Sequence, residues 1–418
     1  MKLAIVGGGS TYTPELIDGF ARLREVLPID EVVLVDPDEQ RLALVAGMSQ
    51  RMLAHAGHPG RVVGTTDLVA GVADADAVLI QLRIGGQHAR HADETWPHEV
   101  DCIGQETTGP GGLAKALRTV PVVLRIADVV REHAKPDAWI VDFTNPVGIV
   151  TRALLEAGHR AVGLCNVAIG FQRRFASVFG VEHDRVSLGH VGLNHLTWER
   201  SVQVDGRDEL PGLLRDRLGE LAGDVHLAPE LIAQLGVLPS YYLRYFYAHD
   251  EVLREQRSSP TRAEAVQAIE RELLDLYADA SQREKPAALE GRGGAFYSEA
   301  AIELLAAMRD GTSRSRVVNL RNDGVMPFLP DDHVIEVPAV FRDGRFTAEP
   351  VAPLPDDIWG LIASVAGYER LALDAAVHGG RDRVLRAMRA HPLVLQHDRA
   401  ERLTDLLLAE NERFLEWA

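Results

Sequence analysis

Along the first 165 residues, short and mostly apolar runs alternate with stretches of helical period. The runs at 3–6, 31–35, 77–82, 139–142 and 161–165 have the unbroken hydrophobicity of strands covered on both faces of a parallel sheet. Between them, residues 43–56 and 113–133 repeat their apolar positions as helices do. This alternation predicts an α/β fold with a parallel sheet. From Arg200 onward the pattern shifts to helices with interspersed strands at 316–320 and 334–338. Turns are expected at 319–324 and 331–333, and an amphipathic helix at 403–417 closes the chain.

The first strand runs into Gly7-Gly8-Gly9-Ser10-Thr11-Tyr12, after which Thr13 suits a helix N-cap and Pro14 the first turn. Strand, glycine loop and helix aim backbone N–H groups and a helix dipole at a pyrophosphate. Gly7 and Gly9 fit the GxGxxG spacing, and Tyr12 stands where its third glycine belongs. The second strand ends in Asp36, the carboxylate expected to hold an adenosine ribose, which favours NAD over NADP. Gly7, Gly8, Gly9, Ser10, Thr11 and Asp36 are therefore the candidate dinucleotide-binding residues.

Strand ends are where open α/β sheets place their chemistry. One strand ends in Cys165-Asn166, and a later element supplies Gly192-Leu193-Asn194-His195. A thiol and an imidazole there suit one divalent metal, while a lone cysteine equally suits a packed core. Asn145, before Pro146, can bind sugar hydroxyls or cap a turn. His190 suits either a metal's surroundings or simple packing. The glycine-rich polar segment 103–112 is expected to be a mobile lid or a wall where backbone meets a ligand.

Composition narrows the choice. A chain of 418 residues suggests two domains or one large one with insertions. A net charge of −17 argues against nucleic-acid and anionic-membrane partners, since both need a basic surface. An anionic small molecule then has to be met by a few focused arginines. Two cysteines, Cys102 and Cys165, fit a reducing compartment, and Lys2–Val6 leaves no room for a signal peptide ahead of the first strand. A cytoplasmic protein is expected.

Taken in order, the segments 6–16, 103–112, Phe143-Thr144-Asn145-Pro146, Cys165-Asn166-Val167 and Gly192-Leu193-Asn194-His195 resemble those of glycoside hydrolase family 4. The likeness is strongest to its NAD- and manganese-dependent 6-phospho-β-glucosidase branch and covers nearly the whole chain. It implies a Rossmann NAD-binding domain (1–166) and an α+β substrate- and metal-binding domain of the lactate/malate dehydrogenase type (167–418). It makes Cys165 and His195 the ligands of Mn²⁺ or another divalent metal. Asn166 stands where the α-specific branch has an acidic Asp and matches the β-specific branch, although that branch usually has proline where this chain has Ala168. The segment Pro239-Ser240-Tyr241-Tyr242-Leu243 resembles the one carrying the family's tyrosine base, which puts the base at Tyr242; spacing alone reads as packing aromatics. Arg90 and Arg262 resemble substrate-contacting positions.

The implied chemistry is an exception to the two-carboxylate rule of glycosidases. NAD takes hydride from C3, a base removes the acidified C2 proton, the aglycone leaves, water adds and the hydride returns. The expected partner is a phosphorylated disaccharide or aryl glycoside, and a homodimer or homotetramer is expected from the family. A metal-independent hydroxy-acid dehydrogenase, an NAD-responsive binding protein and a family-4 enzyme for another sugar remain alternatives.

Overall fold

The computed structural model describes residues 1–293, 296–310 and 314–417. Six strands, β1 (Lys2–Val6), β2 (Glu31–Val35), β3 (Arg61–Thr65), β4 (Ala77–Ile80), β5 (Trp139–Asp142) and β6 (Ala161–Gly163), pair in parallel in the order β3-β2-β1-β4-β5-β6. This is the doubly wound order of a dinucleotide-binding domain. The inner strands are buried almost end to end, as their apolar runs require. Leu16, Phe20, Met48, Leu117 and Ile149 of the connecting helices join them in one core.

β3 has no counterpart in the expected elements. It is an edge strand in which every residue is half-buried or exposed, so it lacks the apolar signature of its neighbours. Boundaries move for local reasons. The helix Glu39–His55 starts earlier than the apolar pattern because the Asp38 side chain accepts the Arg41 N–H. In the helix Thr13–Arg22, which follows the glycine loop, Thr13 is not the N-cap but the first helical residue; its hydroxyl donates to the Gly8 carbonyl at 2.9 Å. The closing helix is His397–Asn411, followed by a short 3₁₀ turn, rather than 403–417. The turn expected at 319–324 begins only after Arg321, the last residue of its strand.

The sheet does not stop at β6. β7 (Val186–Leu193), β8 (Leu196–Val204), β9 (Arg207–Asp208), β10 (Leu238–Pro239), β11 (Ser315–Arg321), β12 (Val334–Arg342) and β13 (Arg345–Ala348) extend it with antiparallel pairs. The order continues β6-β11-β12-β7-β8-β10, with β13 on β12 and β9 on β8. One row of opposed residues crosses the seam: Gly163, Asn319, Glu336, Gly192 and Thr197, on β6, β11, β12, β7 and β8.

The glycine-rich segment 103–112 is a packed wall. Its last four residues open the helix Gly109–His133, which therefore begins four residues before the expected start. A Cβ on Gly111 would stand 2.4 Å from the Gln105 carbonyl oxygen, and one on Gly112 would stand 2.7 Å from the Thr107 backbone. Glycine is needed here for close backbone approach, so neither of these positions belongs to a lid. No helix among the described residues is long and apolar enough to cross a membrane.

Gly192 has φ +147°, and a Cβ there would lie 2.0 Å from the Leu196 carbonyl oxygen. Gly206 has φ +79° with no atom within 4 Å of its Cβ position. Gly192→Ala is expected to lower the unfolding free energy by about 3 kcal/mol through clash plus strain. Gly206→Ala is expected to lose about 1 kcal/mol through strain alone. Urea unfolding midpoints of the two variants test the difference, and equal losses would contradict it.

Candidate active site

The C-terminal ends of β1, β2, β4, β5 and β6 open on one cavity of about 780 Å³. Gly7, Gly9 and Ser10 line it after β1, Asp36 after β2, Asn145 after β5 and Asn166 after β6. His195, Tyr242, Arg90 and Arg262 line the same space from other elements. Of the remaining expected site residues, Gly8 packs on Leu34, where a Cβ would stand 2.7 Å away, and Thr11 is fully buried beneath the loop. Cys165 is also buried, next to Asn166, and does not itself line the cavity.

The nucleotide end is built on the glycine loop. Gly7 has φ +86°, and its Cβ would strike the Gln81 carbonyl oxygen at 2.4 Å, so the turn needs glycine. Asp36 accepts the Gly9 N–H at 3.0 Å and the Asp38 N–H at 3.0 Å, fixing its carboxylate at the loop. A glycine turn ahead of a helix start, with an acid at the end of the next strand, fits an NAD dinucleotide.

The opposite end is built around Cys165 and His195. The backbone N–H groups of Asn166 and Val167 and the Asn194 side chain hydrogen-bond to the thiol and favour its charged form. Burial and the nearby Glu336 carboxylate outweigh them and hold the thiol protonated. Such a cradle suits a thiolate whose charge a metal cation would match. His195 occupies the two-residue turn between β7 and β8 with φ +61°, an uncommon backbone for a non-glycine residue. Its Nδ1 pairs with the Thr107 hydroxyl at 2.9 Å, leaving Nε2 for any further ligand. Burial lowers its pKa to about 4, so the ring is neutral, as metal binding requires. Among the described residues no group of three His, Cys, Asp or Glu is arranged to hold a metal ion.

Tyr242, on the 3₁₀ turn Tyr241–Leu243, stacks on the His195 ring with centroids 3.6 Å apart and planes 7° apart. Burial, followed by Cys165, raises its pKa, and Arg90 opposes them. Among the described residues the buried Asn145 Oδ1 has no protein partner, an acceptor left for a ligand.

Several groups escaped the sequence reading. Glu106 is fully buried yet its carboxyl stays well below the usual range, because Arg83, Lys115 and Arg90 offset its desolvation. Lys115 lies 2.7 Å from it and Arg90 3.2 Å, with Arg83 in direct ion-pair contact. Glu270, Arg41 and Arg292 form a second cluster at the loop. The cavity wall thus carries six cationic side chains, from Arg41, Arg83, Arg90, Lys115, Arg262 and Arg292, against the three carboxylates of Asp36, Asp38 and Glu270. In a chain of net charge −17 this surplus marks a site for an anion. The one available signal was Glu106 inside the 103–112 motif; Glu270 and Arg292 lie in stretches without a motif.

His190 does not face the cavity. Its Nδ1 lies 2.6 Å from Glu199 and its Nε2 3.0 Å from Glu336. Glu336 also accepts from Asn194 and Asn319, both at 3.0 Å. His190 therefore braces the carboxylate that orients Asn194 toward the thiol. Burial disfavours its charge, but the two carboxylates prevail and raise its pKa to about 10.

Models of two family-4 glycosyl hydrolase segments match the chain, the first over residues 2–181 and the family's C-terminal domain over 190–394. A 6-phospho-β-glucosidase of Escherichia coli (strain K12) is 35% identical, the match covering 99% of this chain and 96% of that one. The structure of the Thermotoga maritima 6-phospho-β-glucosidase with manganese, NAD⁺ and glucose-6-phosphate superposes with a TM-score of 0.91 at 32% identity, over 100% of both chains. A malate dehydrogenase from Salinibacter ruber shares the fold, with a TM-score of 0.55 at 19% identity over 91% of this chain and 99% of that one. The Rossmann half and the lactate/malate dehydrogenase type of the second half are thereby shared with known structures.

The His190 pair makes a stability prediction. Its folded pKa lies above the ordinary imidazole value of about 6.5, so its contribution is complete below that pH and is lost as pH rises through about 10. His190→Gln is expected to destabilise the protein by about 3 kcal/mol at neutral pH by leaving a buried carboxylate unpaired. Urea unfolding at about pH 6, 7.5 and 9 should show a smaller gap between variant and parent as pH rises. A gap that widens with pH would contradict the assignment.

Proposed function

The chain belongs to family 4 of the glycosyl hydrolases, and from that membership we propose that it hydrolyses 6-phospho-β-glucosides, using NAD and a divalent metal, by oxidation and elimination. The observation that carries the reading is the single cavity in which a nucleotide loop, the His195 imidazole and a tyrosine stacked on it meet under a surplus of positive charge, with the buried Cys165 next to the lining residue Asn166. The names of the relatives support the 6-phospho-β-glucoside, and the Thermotoga complex supports NAD and Mn²⁺.

The glycine loop would hold NAD, which would supply the hydride acceptor for the sugar C3. Cys165 and His195 would hold a divalent ion, which would supply Lewis acidity toward the sugar and the positive charge that favours the Tyr242 phenolate. With C3 at the ketone level, the C2 proton lies α to a carbonyl and becomes acidic. Tyr242 Oη takes that proton, the electron pair forms the C1–C2 double bond, and the aglycone leaves C1 with its oxygen. Water then adds at C1 and its proton goes to the aglycone oxygen. Tyr242, its hydroxyl exchanged with solvent, protonates C2, and C3 regains its hydride. Asn145 holds sugar hydroxyls through the acceptor that the protein leaves unpaired. Arg90 and Arg262 hold the 6-phosphate, since a guanidinium matches a phosphate by paired hydrogen bonds. Asn166, an amide at the C1 side, positions the leaving group without protonating it. The working boundary of the NAD-binding part is residue 166.

The β-linkage rests on Asn166 where α-specific relatives carry an acid. It is tested with p-nitrophenyl glucosides in both anomers, with and without a 6-phosphate, in the presence of NAD⁺ and Mn²⁺. Release from the phosphorylated β-anomer alone is expected, and release from the α-anomer instead would overturn the assignment. In D₂O the released sugar should carry deuterium at C2; its absence there would rule out the elimination. Cys165→Ser and His195→Ala are each expected to lower turnover by about 10²-fold or more while NAD binding, read by calorimetry, stays near the parent value. Loss of NAD binding in both would point to misfolding and not to a lost metal ligand.

A further inference from the structure

Beneath the glycine loop, one carboxylate is shared by two guanidinium groups. Glu270 Oε1 lies 2.9 Å from Arg292 Nη2, and its Oε2 lies 3.3 Å from Arg41 Nη2. Both arginines also grip the loop. Arg41 Nε donates to the Gly9 carbonyl at 2.8 Å, and Arg292 Nε to the Thr11 hydroxyl at 3.2 Å. Gln87 Nε2 and the Thr11 hydroxyl donate to the same carboxylate, at 3.1 and 3.3 Å.

One of these two positive charges is enough to pair with Glu270. Together the two guanidinium groups leave one charge in excess, and Arg292 is only 12% exposed, with Arg83 and Arg90 adding like charge nearby and Glu106 opposing them. Surplus buried positive charge is costly unless an anion matches it, and the cavity that Arg292 lines is where such an anion would stand. Of the pair, Arg41 is the more exposed and lies on the Asp36 side of the loop, at Gly9. Arg292 stands at Thr11, two residues before the helix Thr13–Arg22, whose N-terminal dipole has the same sign as its charge. Arg292 lines the cavity, and with Nε and Nη2 committed to Thr11 and Glu270 its Nη1 is, among the described residues, left for a ligand.

We infer that Arg292 binds the pyrophosphate of the dinucleotide, with Glu270 and Thr11 holding its guanidinium in position. The inference rests on the nucleotide reading of the glycine loop. It supplies a charged partner where the loop departs from GxGxxG: Tyr12 replaces the third glycine, and an arginine from a distant segment adds the positive charge that backbone N–H groups alone do not bring.

Calorimetric titration of the full-length protein with NAD⁺, ADP, adenosine and glucose 6-phosphate tests it. Arg292→Gln is expected to weaken NAD⁺ and ADP by about 10- to 100-fold, the range of a hydrogen bond between charged groups. Adenosine and glucose 6-phosphate should bind as in the parent. Arg292→Lys, which keeps the charge and loses the fork, should fall between the two and serves alone if the glutamine variant does not fold. Unchanged ADP affinity would overturn the inference, as would an equal loss for adenosine, which signals collapse of the site. Loss confined to glucose 6-phosphate would assign Arg292 to the sugar and overturn it as well. A parent protein that binds neither NAD⁺ nor ADP would overturn the nucleotide reading itself, an outcome separate from all of these.

Discussion

The row Gly163–Asn319–Glu336–Gly192–Thr197 is the constraint on which the site depends, because it joins the parallel half of the sheet to the antiparallel half. A Cβ on Gly163 would meet Thr151 Oγ1 at 2.2 Å and Asn319 Cβ at 2.9 Å, so the strands close only around glycine. Two residues after Gly163 comes the thiol, and three after Gly192 comes the imidazole. Between them sits a fully buried carboxylate, whose desolvation is offset by His190, Asn194 and Asn319. Its charge-assisted bonds fix Asn194, and Asn194 in turn reaches Cys165. Sheet register and thiol orientation are thus one problem with one solution.

Charge is distributed by the same logic. A chain with 61 acidic and 44 basic residues repels anions at long range, so an anionic ligand must be met by local focusing. Glu106 does this indirectly. Three cations around one buried carboxylate leave a net positive group, yet each cation has a partner and none stands alone in a low dielectric. The carboxylate is the reason those cations can be held rigidly at the cavity wall in the absence of ligand.

The parallel half was legible because its strands are buried on both faces and announce themselves as apolar runs. β3 was not, since this edge strand has one neighbour and no buried residue, an exposure that short polar stretches also show. Boundaries set by side chains far away in sequence were equally hidden. The helix at Gly109 starts early because Gly111 and Gly112 nest against the backbone of Gln105 and Thr107, which periodicity does not encode. At the site, Gly7, Asp36, Asn145, Cys165 and His195 could be read because each ends a strand or fills a tight turn. Tyr242 needed the family likeness, as its spacing is that of a packing aromatic. Glu270 and Arg292 had no local signal at all, because the contact between Arg292 and Thr11 spans 281 positions.

The helix Arg262–Ala278 shows why such distant contacts matter. Arg262 opens it at the cavity, and Glu270 stands eight residues on, about 12 Å along the axis, at the glycine-loop end. Its start is locked twice. The Thr261 capping box holds the first turn, and Glu94 accepts the Ala263 N–H at 2.9 Å while pairing with Arg90 at 2.7 Å. On the reading proposed above, hydride leaves the sugar and returns to it within one complex, so sugar and nicotinamide must keep their relative position through several bond changes. A hydrogen-bonded helix sets that spacing more firmly than loops do, since a loop can shift without breaking a ladder. An arginine at one end and a carboxylate-held arginine at the other then fix two phosphates to one rigid ruler. The sugar ring and the nicotinamide, each tethered to its own phosphate, are brought together by that spacing.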